Sequence, residues 1–169
     1  MEDHSYFLNF EKMAYVKGKH PSGCILCMIR DRNPDVIDLS IWRDELFIAS
    51  VNLYPYNPGH LLVYPLRHVE DVRELTHQEE GRLTALQRYL LGLLDRASAP
   101  HAYNIGFNMG PAAGASINHL HLHIIPRDPR ETGIADLIAG KRVLVEDPRE
   151  TTRRLRELVA QSPLSSSTS

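Results

Sequence analysis

The sequence predicts an α+β domain of antiparallel strands and helices, and three observations predict it. Residues 45–51 and 60–65 are β-forming runs on either side of a turn carrying Pro55, Pro58 and Gly59, which reads as an antiparallel pair. Residues 119–125 alternate histidine with apolar side chains, a period of two that suits a strand. Between these, Leu83, Leu86, Leu90 and Leu93 recur at helical spacing, behind a Thr76-His77-Gln78-Glu79 capping box.

At 169 residues the chain is expected to form one domain over 23–161, with an N-terminal extension at 1–22 and a disordered tail at 162–169. Apolar content of 43% and charged content of 24% are ordinary for a soluble globular protein. A formal net charge of -2 gives no sign of a general nucleic-acid binder. No apolar run is long enough to span a bilayer, so no membrane partner is expected. The first ten residues lack a basic stretch followed by an apolar one, and no signal peptide is visible. A cytoplasmic chain is therefore expected. There, Cys24 and Cys27 suit a metal or redox role better than a structural disulfide.

Taken in order, residues 1–22 are mixed, with Tyr6, Phe7, Phe10 and Tyr15, and residues 17–23 read as a loop delivering Cys24-Ile25-Leu26-Cys27. Residues 30–38, with Asn33-Pro34, read as a second loop. After the strand pair comes a helix over 76–96, with Arg82 and Arg88 turned to water. Residues 102–108 are a third strand candidate, and residues 110–116 form a small-residue loop leading into the histidines. After Pro126 the chain turns polar, and residues 151–160 can form a short helix on Leu155, Leu158 and Val159. No internal repeat is visible.

On a strand, His119, His121 and His123 share one face while Leu120, Leu122 and Ile124 plug into a core. A helix fails this pattern, because positions two apart on a helix do not face each other. A metal-binding tract and three core histidines are the alternatives to an active site, but bare imidazoles make a poor core. Neutral histidine is a nucleophile and a metal ligand at physiological pH. The Gly- and Ala-rich approach lets backbone N–H groups come close to an anion, with Ser116 and Asn108 as further donors. No Walker loop or dinucleotide fingerprint appears.

His119-Leu120-His121-Leu122-His123-Ile124-Ile125 resembles the signature of the histidine triad superfamily, three histidines separated by apolar residues. The stretch from Asn57-Pro58-Gly59-His60 to Arg67-His68 resembles that family's second motif block. Asn108-Met109-Gly110 with Gly114-Ala115-Ser116 resembles its phosphate loop, and Cys24-Ile25-Leu26-Cys27 its N-terminal zinc half-site. The resemblance implies a mostly antiparallel sheet with helices, paired in a two-fold homodimer. It implies cleavage at the α-phosphate of a nucleotide through a nucleotidyl-histidine, with His121 as the nucleophile. It implies that His123, Ser116, Asn108, Gly114 and Ala115 hold phosphate, that Asn52 binds ribose, and that His60 supports the triad. It also implies a structural zinc on Cys24, Cys27, His68 and His119.

Within the superfamily, the phosphate loop looks like that of the bacterial diadenosine polyphosphate phosphorylases and hydrolases. Diadenosine polyphosphate is accordingly the expected substrate. An adenylyl phosphoramidate hydrolase and a non-catalytic, nucleotide-binding zinc protein are the alternatives. Two departures stand out: Ala115 replaces the glutamine common in other branches, and Pro126-Arg127 runs into Asp128-Pro129-Arg130-Glu131 with no tryptophan. On the residues alone, Cys24 and Cys27 remain a zinc or a redox pair, His60 a site or core residue, and Asn52 a ligand or turn former. His4, His20, His77 and His101 read as surface residues, and Trp42 as packing. Leu91 and Leu94 widen the leucine stripe, making the helix over 76–96 a candidate dimer interface.

Overall fold

The computed structural model describes residues 23–129 and 146–164. The expectations for 1–22, for residues 130 and 131 and for the end of the serine-rich tail lie outside the described residues. Among the described residues five strands form one sheet: β1 (Ser40–Arg43), β2 (Phe47–Val51), β3 (Leu61–Pro65), β4 (Ala102–Phe107) and β5 (Leu122–Arg127). Their order is β1-β2-β3-β5-β4, and every neighbouring pair is antiparallel. Among the described residues the α-helices are α1 (Ile25–Arg30), α2 (His77–Ser98) and α3 (Pro148–Gln161).

One face of the sheet carries the main core. Phe47, Ala49 and Val51 of β2, Leu61 and Val63 of β3, and Leu122 and Ile124 of β5 meet Leu86, Leu90, Leu93 and Leu94 of α2 and Leu155 of α3. These four leucines of α2 are fully buried, each contributing about 2 kcal/mol. The capping box forms as read: Thr76 accepts from the Glu79 N–H at 3.2 Å, and Glu79 accepts from the Thr76 N–H at 2.8 Å. Leu94 therefore cannot serve a dimer interface; it is committed to this subunit's core, and Leu91 packs partly against the same cluster. Trp42 packs as expected, with the Arg82 guanidinium 5.2 Å from its ring centroid.

The other face is smaller. Ile48, Leu62 and Tyr64 pack against Leu26 and Ile29 of α1. The sequence reading took the Cys-x-x-Cys segment as following a loop and passed over both α1 and β1. With only six residues and no side-chain cap, α1 shows little sequence signal.

The histidine strand is shorter than its alternation implied. β5 begins only at Leu122, because the Leu120 N–H leaves the ladder to donate to Val69 O at 2.7 Å. The alternation still holds: Leu120, Leu122 and Ile124 are 2%, 3% and 0% exposed, all in the α2-facing core. The three imidazoles are left on the α1 side, and only His123 sits on a regular strand.

Candidate active site

The imidazoles divide into two groups. His121 and His123 line a pocket of about 300 Å³, their ring centroids 4.8 Å apart. Its floor is sheet, from Ser50, Val51 and Leu62, and one wall is α1, through Ile25, Leu26 and Ile29. Asn52, Asn108, Gly114 and Ser116 complete the polar rim. His60 lies behind His123, and Ala115 lines the adjacent cleft, its N–H donating to Gly110 O at 3.3 Å.

Hydrogen bonds fix the proton on each ring. His121 Nδ1 lies 2.6 Å from the carbonyl of His119. A carbonyl only accepts, so Nδ1 carries the proton and Nε2 keeps its lone pair. Burial lowers the His121 pKa from its ordinary value, against the pull of that carbonyl, and so favours the neutral ring.

His123 takes the opposite tautomer. The Tyr56 N–H donates to His60 Nδ1 at 3.1 Å, so His60 carries its proton on Nε2. That proton goes to His123 Nδ1 at 2.9 Å, which leaves His123 with an N–H at Nε2. His123 Nε2 is buried and has no partner among the described residues. Burial, aided by the neighbouring histidines, pushes His60 down to about 3 and His123 to about 4. The pocket thus sets a lone pair beside a neutral donor.

The 52–60 turn holds this arrangement. Asn52 does two jobs: its Oδ1 accepts from the Tyr54 N–H at 3.1 Å, and its Nδ2 meets His60 Nδ1 at 3.3 Å. Asn57 donates to Pro126 O at 2.7 Å, tying the turn to β5. Gly59 has φ +81, and a Cβ there would sit 3.2 Å from Pro126 Cγ, so both conformation and space demand glycine. At the phosphate-loop position, Gly114 has φ +87 and closes the short 3-10 turn Pro111–Ala113.

His119 turns to the cysteines instead. Its Nδ1 is 3.3 Å from Cys24 Sγ and 3.6 Å from Cys27 Sγ, and Cys27 Sγ is 3.3 Å from His68 Nδ1. All four donor atoms lie within 4.8 Å of one another. A tetrahedral zinc with ordinary bond lengths has sulfur–nitrogen edges of about 3.6 Å. His119 Nε2 donates to Pro65 O at 2.9 Å, which leaves Nδ1 unprotonated, as a ligand must be. His68 Nε2 faces Glu70 at 3.7 Å in the same sense. Burial, together with Cys24, pushes the Cys27 thiol up to about 11, so a bound cation is what would make it a thiolate. The donor set fits zinc.

A family model for the HIT domain matches residues 33–130. The chain belongs to the HIT domain family. Among HIT-related proteins, the AP-4-A phosphorylase of Mycobacterium tuberculosis is 38% identical over 126 residues, covering 74% of this chain and 65% of that protein. The asymmetrical bis(5'-nucleosyl)-tetraphosphatase of Schizosaccharomyces pombe is 37% identical over 97 residues, covering 57% of this chain and 53% of that one. In both cases the chain spans less than two thirds of the relative's length. A Zn-bound histidine triad family protein from Mycobacterium smegmatis has a similar fold, with a TM-score of 0.67 and 26% identity over 82% of this chain and 94% of that one.

Sequence reasoning missed the apolar wall from Ile25, Ile29, Ile37 and Leu39, and the Tyr56 N–H that sets the tautomer relay. Leu39-Ser40-Ile41 alternates and would have suggested part of that wall. A backbone N–H leaves no mark in sequence.

Proposed function

We propose that this chain cleaves dinucleoside polyphosphates, diadenosine polyphosphates first among them, at an α-phosphate through a nucleotidyl-histidine on His121. The observation that carries the reading is the opposed tautomers of His121 and His123 on one pocket wall. The His121 Nε2 lone pair attacks the α-phosphorus, a P–N bond forms, and the P–O bond to the leaving nucleoside polyphosphate breaks. Positive charge developing on the ring is met by the His119 carbonyl at Nδ1–H. The His123 Nε2–H, with Ser116, Gly114 and Asn108 at the rim, holds the phosphoryl oxygens. The base has the apolar wall of Ile25, Ile29 and Ile37 to lie on, and Asn52 stands beside the ribose. The acceptor then attacks the same phosphorus and restores His121. The names of the two similar proteins support this substrate class.

The deciding experiment incubates the protein with diadenosine tetraphosphate, with and without inorganic phosphate. AMP plus ATP identifies water as acceptor, and ADP plus ATP identifies phosphate. No nucleotide product in either arm would reject the reading.

The same reading includes a structural zinc on Cys24, Cys27, His68 and His119, supported by donor spacing; bound there, the ion would pin α1 to the histidine segment. It includes a two-fold homodimer. The exposed sheet edge favours β4 as the interface, where Ile105 is 40% exposed and Met109, just beyond, 42%. Light scattering on wild type and Ile105→Asp tests this; a wild-type mass near 19.2 kDa would reject the dimer. Among the described residues no helix is long and apolar enough to cross a membrane. Reduced paired cysteines suit the cytoplasm.

A further inference from the structure

One residue serves both chemistries. The His119 ring reaches the cysteine cluster through Nδ1, and its backbone carbonyl receives the His121 proton at 2.6 Å. That carbonyl lies ahead of β5, whose ladder begins at Leu122. What holds the segment there is the Leu120 N–H on Val69 O, the His119 Nε2–H on Pro65 O, and the ring's seat among the thiols and His68.

We propose that His119 is a positioning residue that couples metal occupancy to the nucleophile: its ring, fixed in the Cys24–Cys27–His68 cluster, holds its carbonyl where His121 Nδ1–H must meet it. With the ring anchored, His121 keeps one tautomer and presents an unprotonated Nε2. With the anchor gone, the carbonyl shifts, Nδ1–H loses its fixed acceptor, and the proton divides between the two ring nitrogens. The fraction of molecules with a competent nucleophile falls accordingly. This inference rests on the assignment of His121 as nucleophile and adds a control on it.

A second route from the same cluster leads elsewhere and can be told apart. Cys24 and Cys27 also hold α1, whose Ile25, Leu26 and Ile29 wall the pocket. Loosening α1 weakens nucleotide binding and raises KM. Loosening the His119 carbonyl lowers kcat and leaves binding largely in place.

The test uses the full-length chain labelled with 15N-histidine, zinc-loaded and after chelation, together with Cys27→Ser and His68→Ala. Zinc per chain is measured, imidazole tautomers are read from two-bond proton–nitrogen spectra, AMP binding by calorimetry, and kcat and KM on diadenosine tetraphosphate. The expected result is a single Nδ1–H tautomer for His121 with zinc, and a mixture without it. The His60–His123 pair, set from Tyr56, keeps its tautomers in both states. The kcat falls about 10- to 100-fold while AMP affinity changes far less.

If Cys27→Ser does not fold, His68→Ala answers instead. Its ligand is exposed and its loss leaves Cys24, Cys27 and His119 in place. Titrated with zinc, its His121 tautomer fraction should follow occupancy. A folded metal-free protein with His121 still in one tautomer and unchanged kcat would overturn the proposal, as would a tautomer fraction flat against zinc. A tautomer that follows zinc in a protein without turnover would overturn the enzymatic reading alone and leave the positioning role standing.

Discussion

His119 and His121 are two residues apart in one alternating stretch, yet their rings stand in surroundings with opposite requirements. At the cysteine end, His119 gives its Nε2 proton to Pro65 O and offers Nδ1 to the thiols. At the pocket end, His121 gives its Nδ1 proton to the His119 carbonyl and offers Nε2 to the pocket. The repeat places the side chains; the nearest carbonyl decides which nitrogen is available. Sequence periodicity therefore identifies a site, while the backbone acceptors around it assign the chemistry.

Substitutions can pull the two ends apart. The largest effect belongs to His121→Asn, which keeps shape and polarity but removes the attacking nitrogen. Turnover should fall by about three or more orders of magnitude, with AMP affinity within a few-fold by calorimetry. At the other end, replacing Cys24 and Cys27 together by serine should abolish zinc binding. It should lower stability by about 3 kcal/mol, roughly 10 °C in Tm, as scanning calorimetry would show. Unaltered Tm and zinc content would return Cys24 and Cys27 to a metal-free role.

A smaller effect sharpens the pocket end. His60→Leu removes the donor that sets the His123 tautomer, and kcat should fall about 10- to 100-fold, the worth of one hydrogen bond to a charged group. His60→Gln can still donate from its amide and should recover much of the loss. Equal defects in both variants would mean that His60 only fills space.

The smallest effect is on acid stability. His60 is fully buried, with a pKa of about 3 against an ordinary 6.5. Between those values the unfolded chain binds the proton and the folded one does not, so stability falls as pH drops below 6.5. For this histidine alone the slope is about 1.4 kcal/mol per pH unit. Urea melts at pH 7 and pH 5 should show it, and His60→Gln should lessen the fall by one histidine's share, leaving the part due to His119, His121 and His123.

How much was legible in the sequence follows from which forces leave a pattern. The α2 stripe, its capping box and the buried Leu120, Leu122 and Ile124 follow from apolar periodicity, and the structure holds them where expected. The four metal-site donors came through resemblance and are brought together. The turn-forming reading of Asn52 is seen in its bond from the Tyr54 N–H, while its ribose contact, from a residue that also lines the pocket, belongs to the proposed function. The early end of the histidine ladder was hidden, because the Leu120 N–H donates to the Val69 carbonyl instead. The extra leucines of α2 were ambiguous because α3 supplies cover that composition alone does not place: Leu155 joins the same core.

The pocket wall has a consequence for how an anion comes and goes. Among the described lining residues there is no lysine, arginine, aspartate or glutamate. What a phosphate gains from these residues comes from neutral N–H and O–H dipoles, which act over contact distances and do not build a long-range field. Dissolved ions screen net charges over roughly 10 Å at 0.1 M and have little to screen in such a lining. These described residues therefore add little salt dependence of their own to nucleotide binding, and any such dependence points to charges outside this lining, such as Arg73 of the adjoining cleft.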